Sequence, residues 1–100
     1  CNLRDCDLDY VILEHADLSG ANLRDSQIRS AKLERADFSE ANLRDADLRK
    51  SDLTRANFNG ANLSGADLRG ANLEFADFTD AKGLTEELIK EIKDQGGIVD

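Results

Sequence analysis

Residues 36–48 read Ala36-Asp37-Phe38-Ser39-Glu40-Ala41-Asn42-Leu43-Arg44-Asp45-Ala46-Asp47-Leu48, a small, a short polar and a large apolar residue recurring every five positions. Followed outward in both directions, the spacing never slips. The large positions are Leu3, Leu8, Leu13, Leu18, Leu23, Ile28, Leu33, Phe38, Leu43, Leu48, Leu53, Phe58, Leu63, Leu68, Leu73 and Phe78. Two residues before each stands a small one, from Cys1 and Cys6 to Ala76, with Val11 the bulky exception and Ala81 beginning another unit. On an α-helix a step of five turns the large residue by about 140° and spreads the set around the whole circumference. Along a straight strand, residues two apart share a face, but five is odd, so the next unit would point the other way. Every unit reaches one core only if the chain turns once per unit.

Outward residues repeat at twenty. Asn-Leu-Arg-Asp occurs at 2–5, 22–25 and 42–45, and Asn62-Leu63 continues the column. Phe38, Phe58 and Phe78 are twenty apart and are expected to stack; Arg29, Arg49 and Arg69 form a third column, and Glu14, Glu34 and Glu74 most of a fourth. Four units therefore make one coil, and sixteen units make four coils of 20 residues. Coils resting on one another at the spacing of neighbouring strands, about 4.8 Å, give a solenoid roughly 19 Å long.

The pattern A-[DN]-[LF]-x-x, seen in Ala36-Asp37-Phe38 and Ala61-Asn62-Leu63, resembles that of the pentapeptide repeat family over residues 1–82. The resemblance implies an all-β fold, a right-handed quadrilateral parallel β-helix with large and small residues inside. Ile12 and Lys32, where Asp or Asn is usual, and Ser26 and Ser51, in place of Ala, depart from the pattern. The family's quinolone-resistance members bind DNA gyrase as DNA mimics, so gyrase is the alternative partner that the resemblance raises. Those members are longer acidic rods that dimerise through their C-terminal ends.

Residues 83–100 leave the repeat. Thr85 reads as an N-cap, Glu86 and Glu87 suit the first turn, and Leu84 is placed to pack on Ile89 as a hydrophobic staple. Leu88, Ile89 and Ile92 form an apolar stripe that Gly96 and Gly97 end. A helix over about 86–95 is expected to close the end of the fourth coil. The chain opens at Cys1 in register and without Met, so upstream residues or a second copy are expected to cover the first coil.

Thirteen Lys and Arg against 21 Asp and Glu give a formal charge of −8, which argues against nucleic acid or an anionic membrane as a direct partner. A protein, basic where it makes contact, is the partner class that remains. No apolar run approaches the roughly 20 residues that span a bilayer. The chain reads as soluble, with the cytoplasm as its expected compartment. Cys1 and Cys6 fill the small inward position and read as buried thiols, a lipid-bearing Cys1 being the alternative.

Seven Asp occupy the second position of a unit (7, 17, 37, 47, 52, 67, 77), where a short polar side chain supports the turn. Part of the acidity is therefore scaffold. The face backed by the Phe stack carries Asp17, Asp37, Glu40, Asp77 and Asp80 and no basic residue, which makes it the candidate surface for a basic partner. The neighbouring stripe of Arg29, Arg49, Lys50 and Arg69 is a candidate anion patch unless compensated by Asp47 and Asp67, or by Asp5, Asp25 and Asp45 at the adjoining corner. Tyr10 and Ile12 are outward apolar residues in the first coil, near its uncovered end, and suit contact with a missing cap or with a homodimer mate; Phe75 is expected to be covered by the tail, through Ile98 and Val99. His15 is the single histidine, and Gly20, Gly60, Gly65 and Gly70 read as turn glycines. Neither a catalytic arrangement, a cofactor site nor a metal site is expected.

Overall fold

A computed structural model of the chain describes residues 4–99. Parallel bridges join residues twenty apart along four sides. Side one runs Asn22, Asn42, Asn62, Lys82; side two Asp7, Gln27, Asp47, Asp67; side three Ile12, Lys32, Asp52, Asn72; side four Asp17, Asp37, Asn57, Asp77. The described body measures 29 × 21 × 20 Å. Cys1 and Leu3 lie outside the described residues.

One hydrogen-bond rule serves each unit. The amide of the second residue donates to the small residue's carbonyl one coil back, as Asp47 does to Ser26 at 2.9 Å. The amide of the large residue donates to the second residue's carbonyl one coil on, as Leu48 does to Asp67 at 2.8 Å. The fifth residue donates to the fourth of the next coil, as Lys50 does to Arg69 at 3.1 Å, and a bond from Ser51 back to Leu48 at 3.2 Å closes the corner.

Those corners explain the period of five. Every fifth residue from Asp5 to Asp80 has positive φ, between 56° and 64° where it is not glycine. This is the third-position geometry of a type II turn, and it turns the chain before the next pair would point outward. Tyr10 and Phe75 adopt it despite their bulk. The cost for an L-residue is about 1–2 kcal/mol, offset in each unit by the ladder bonds. Twelve Asp and Asn at second positions accept the amide two residues on and hold the corner. Gln27, a departure from the repeat that the sequence reading passed over, is too long for this. There the Arg29 amide bonds instead to Asp9 Oδ1 of the previous coil at 2.9 Å.

The small and large residues of the second and third coils are buried, as are the large residues of the fourth. Phe38, Phe58 and Phe78 stack with centroids 4.9 and 4.6 Å apart and rings within 8° of parallel. Ser51 replaces Ala at no loss of satisfaction because its hydroxyl donates to the Ile28 carbonyl. In the first coil, Cys6, Leu8, Val11, Leu13 and Leu18 are only half-buried, so the expectation of a buried Cys6 is corrected. The described residues stack on one side of that coil alone.

Beyond the repeat, Thr85 Oγ accepts the Leu88 amide at 3.2 Å and starts helix α1 (Glu86–Asp94), with Glu86 and Glu87 in its first turn. Ile92 is fully buried, and Leu84, Leu88 and Val99 pack against the core. Two short strands, β1 (Asp77–Phe78) and β2 (Ile98–Val99), pair in parallel, so Ile98 and Val99 occupy the ladder positions that a fifth coil would fill. They do not cover Phe75. Phe75 remains 52% exposed, with Gly96 of the tail beside its ring and the Arg55 guanidinium 5.3 Å from the ring centroid. Ile98 is consumed instead by the ladder, its amide bonding to the Ala76 carbonyl at 2.8 Å.

Candidate interaction surfaces

Side four presents three parallel rows: Asp17, Asp37, Asn57, Asp77; Ser19, Ser39, Asn59, Thr79; and Gly20, Glu40, Gly60, Asp80 at the corner. The Phe stack lies behind it and keeps its backbone in register. Asp17 and Asp77 each accept a hydroxyl at 2.6 Å, from Ser19 and Thr79, besides the amide of the same residue. The Ser19 hydroxyl and amide hold the Asp17 carboxyl below the usual range, so it stays charged. Asp37 supports its corner through the Ser39 amide. Glu40 and Asp80 have no side-chain partner among the described residues and are the carboxylates with no structural task. A methyl group at Gly60 would come within 3.3 Å of Glu40 Cγ, so the glycine leaves room for the Glu40 stem.

On side two the arginine column is neutralised within the molecule. Arg29 pairs with Asp9, Arg49 with Asp47 and Arg69 with Asp67, each at 2.7 Å, with longer approaches of Arg29 to Asp47 and Arg49 to Asp67. The corner carboxylates Asp5 and Asp25 lie beside Arg4 and Arg24 instead. Asp9, which the sequence reading missed, completes the column; its signal was a carboxylate twenty residues before Arg29. Hydrogen bonds from Arg29, Arg49 and Arg69 lower the carboxyls of Asp9, Asp47 and Asp67 respectively. Folded-state values below the unfolded ones stabilise the fold above the unfolded Asp pKa of about 3.9, and the gain is lost as pH falls through the folded values. Urea denaturation is therefore expected to show a weaker fold at pH 3 than at pH 7, with a smaller difference in Arg29→Gln/Arg49→Gln/Arg69→Gln. An equal pH difference in that variant would show the column to be energetically idle. On side three the negative charges of Asp52 and Glu14 raise the Glu34 carboxyl, so its contribution has the opposite sign and is relieved on acidification.

Tyr10 and Ile12 are 77% and 65% exposed, close to the half-buried first coil. His15 is exposed at a corner, and Cys6 belongs to the adjoining side. Among the described residues, no three His, Cys, Asp or Glu come together as metal ligands would. Among the described residues, no helix is long and apolar enough to cross a membrane.

A sequence model of pentapeptide repeats matches residues 1–39, 21–60 and 46–82, in eight copies. The chain belongs to the pentapeptide repeat family. Among solved pentapeptide repeat proteins, Rfr23 from the cyanobacterium Cyanothece 51142 is 30% identical over 100% of this chain and 84% of its own, with a TM-score of 0.73. The protein alr5209 from Nostoc Pcc 7120 is 35% identical over 99% of this chain and 80% of its own, at a TM-score of 0.46. AT2G44920 from the Arabidopsis thaliana thylakoid lumen is 30% identical over 91% of this chain and 73% of its own, at 0.41. A search of curated proteins returned no match. Pentapeptide repeat proteins form right-handed quadrilateral β-helices and are generally non-enzymatic.

Proposed function

We propose that this pentapeptide repeat chain is a non-catalytic interaction module, with residues 1–82 as a four-coil solenoid and residues 83–100 as its cap. Side four is its binding surface, and a basic surface of another protein is its partner. One observation carries this reading: side four holds Asp17, Asp37, Glu40, Asp77 and Asp80 on a flat frame without a basic residue, whereas the arginines of side two are consumed by their own aspartates. Binding at this surface needs rigidity and charge pattern.

The test uses octalysine as a probe in calorimetric titrations at several salt concentrations. Glu40→Lys/Asp80→Lys and Glu14→Lys/Glu74→Lys change the net charge equally, on sides four and three. The first pair is expected to weaken binding about tenfold more than the second, since local complementarity adds to net charge. Equal losses would leave net charge as the whole effect and remove side four as a surface.

Tyr10 and Ile12 support a second contact, self-association beside the first coil. Light scattering across concentrations is expected to show a dimer that Tyr10→Ser/Ile12→Lys converts to a monomer; unchanged mass would dismiss it. DNA gyrase is the less supported partner, because α1 and β2 occupy the C-terminal end through which the quinolone-resistance rods dimerise. Undiminished supercoiling by gyrase in the presence of the chain is the expected result.

A further inference from the structure

We propose that the coil edge at Ala66–Gly70, beside helix α1, binds an extended polypeptide segment bearing a basic side chain, which joins the solenoid as an added strand. This site lies on side two, away from the surface proposed above, and does not depend on it.

The hydrogen-bond rule of the coils exposes the vacancy in the ladder. From Leu8 to Leu63, every large residue donates its amide to the next coil. On the last coil the C-terminal segment supplies substitutes on three sides. Leu63 reaches the Lys82 carbonyl at 2.8 Å, Leu73 reaches Gln95 Oε1 at 2.8 Å, and Phe78 pairs in register with Val99. Leu68 alone has no acceptor among the described residues, although it is only 3% exposed. The Ala66 carbonyl on the same edge likewise lacks the donor that Ala46 finds in the Asp67 amide. Amides in such well-packed residues are almost always paired, so this one, beside the cleft, is open to a partner from outside the described residues.

The space and charge beside it describe that partner. A cleft of about 200 Å³ separates this edge from Thr85, Glu87, Leu88 and Glu91. That is below the roughly 300–1,000 Å³ of small-molecule pockets and suits a length of extended backbone. An incoming residue that donates to the Ala66 carbonyl and accepts from the Leu68 amide would repeat the register of Asp67 on Asp47, the mode of strand addition to an open edge. Asp67 is already paired with Arg69, whereas Glu87 and Glu91 have no ion pair among the described residues. The carboxylates on the helix wall therefore select a lysine or arginine next to the bridging residue.

Nuclear magnetic resonance of the ¹⁵N-labelled chain tests this directly. In the free protein the Leu68 amide is expected to exchange with solvent faster than those of Ile28 and Leu48 in its own column. Acetyl-Ala-Lys-Ala-Lys-amide should shift the Leu68 and Gly70 amides saturably and slow their exchange, whereas acetyl-Ala-Glu-Ala-Glu-amide should not. Glu87→Gln/Glu91→Gln is expected to weaken the basic peptide on the order of tenfold. A Leu68 amide as protected as Leu48 in the free protein would mean that the edge is already closed and would overturn the proposal. So would equal responses to both peptides, or none at millimolar concentration.

Discussion

Phe58→Ala is expected to destabilise the chain by about 3–5 kcal/mol, the largest loss from any single truncation in the core. Phe58 is fully buried and is the middle ring of the stack, 4.9 Å from Phe38 and 4.6 Å from Phe78, so its removal leaves a cavity and ends both ring contacts at once. The backbone cannot collapse into that space, because the coils on either side are held at ladder spacing by bonds such as Phe58 to Asp77 at 2.7 Å and Phe38 to Asn57 at 2.6 Å. Urea denaturation of Phe58→Ala, Phe38→Ala and the double variant gives the coupling. The double variant should lose less than the two single losses added, since the contact the rings share is already gone after either change. Additive losses would show that the rings fill space independently and that the stack as such contributes nothing.

Gly83→Ala is the second large effect, and its cause is backbone geometry. Gly83 has φ +79°, and a methyl group there would lie 2.5 Å from both the nitrogen and the Cα of Ser64, which are main-chain atoms that cannot swing aside. The left-handed conformation costs a non-glycine residue about 1–2 kcal/mol, and overpacking adds about 1–3 kcal/mol more. Gly20 is the control: its φ is +69°, but nothing lies within 4 Å of an added methyl, so Gly20→Ala should show the backbone cost alone. Thermal melts of the two variants should separate them clearly, with Gly83→Ala the lower. Because Gly83 leads directly into the Thr85 cap, its variant should also lose helical signal at 222 nm before the repeat itself unfolds. Equal melting temperatures would mean that the turn into α1 has slack the distances do not show.

Much of this was legible in the residues because a period of five with a small and a large residue two apart admits few backbones. The columns of Phe, Arg and Asn at twenty then counted the sides, as the bridge from Asn42 to Asn62 and the Phe rings show. The turn role of second-position Asp and Asn could be read the same way, being a local bond between a side chain and the amide two residues on. Pairings across coils were harder. Asp9 was overlooked as the partner of Arg29 because it stands at a fourth position, where the repeat sets no preference. Phe75 was expected under Ile98 and Val99, but it is Gly96 that runs beside its ring, because the path of residues 95–99 depends on how Gln95 and Ile98 meet the coil edge, which no local pattern encodes.

The sequence by itself determined the repeat, the four sides, the stacked core and the helix that follows it, since each rests on periodicity or on contacts within a few residues. Only the tertiary structure decided that the arginines are spent on Asp9, Asp47 and Asp67, that Ile98 and Val99 complete the ladder of side four, and that the Leu68 amide on side two is left without an acceptor. These features depend on where a non-repeating segment comes to rest on a repeating one, and at that junction the translational rule that made the rest readable no longer applies.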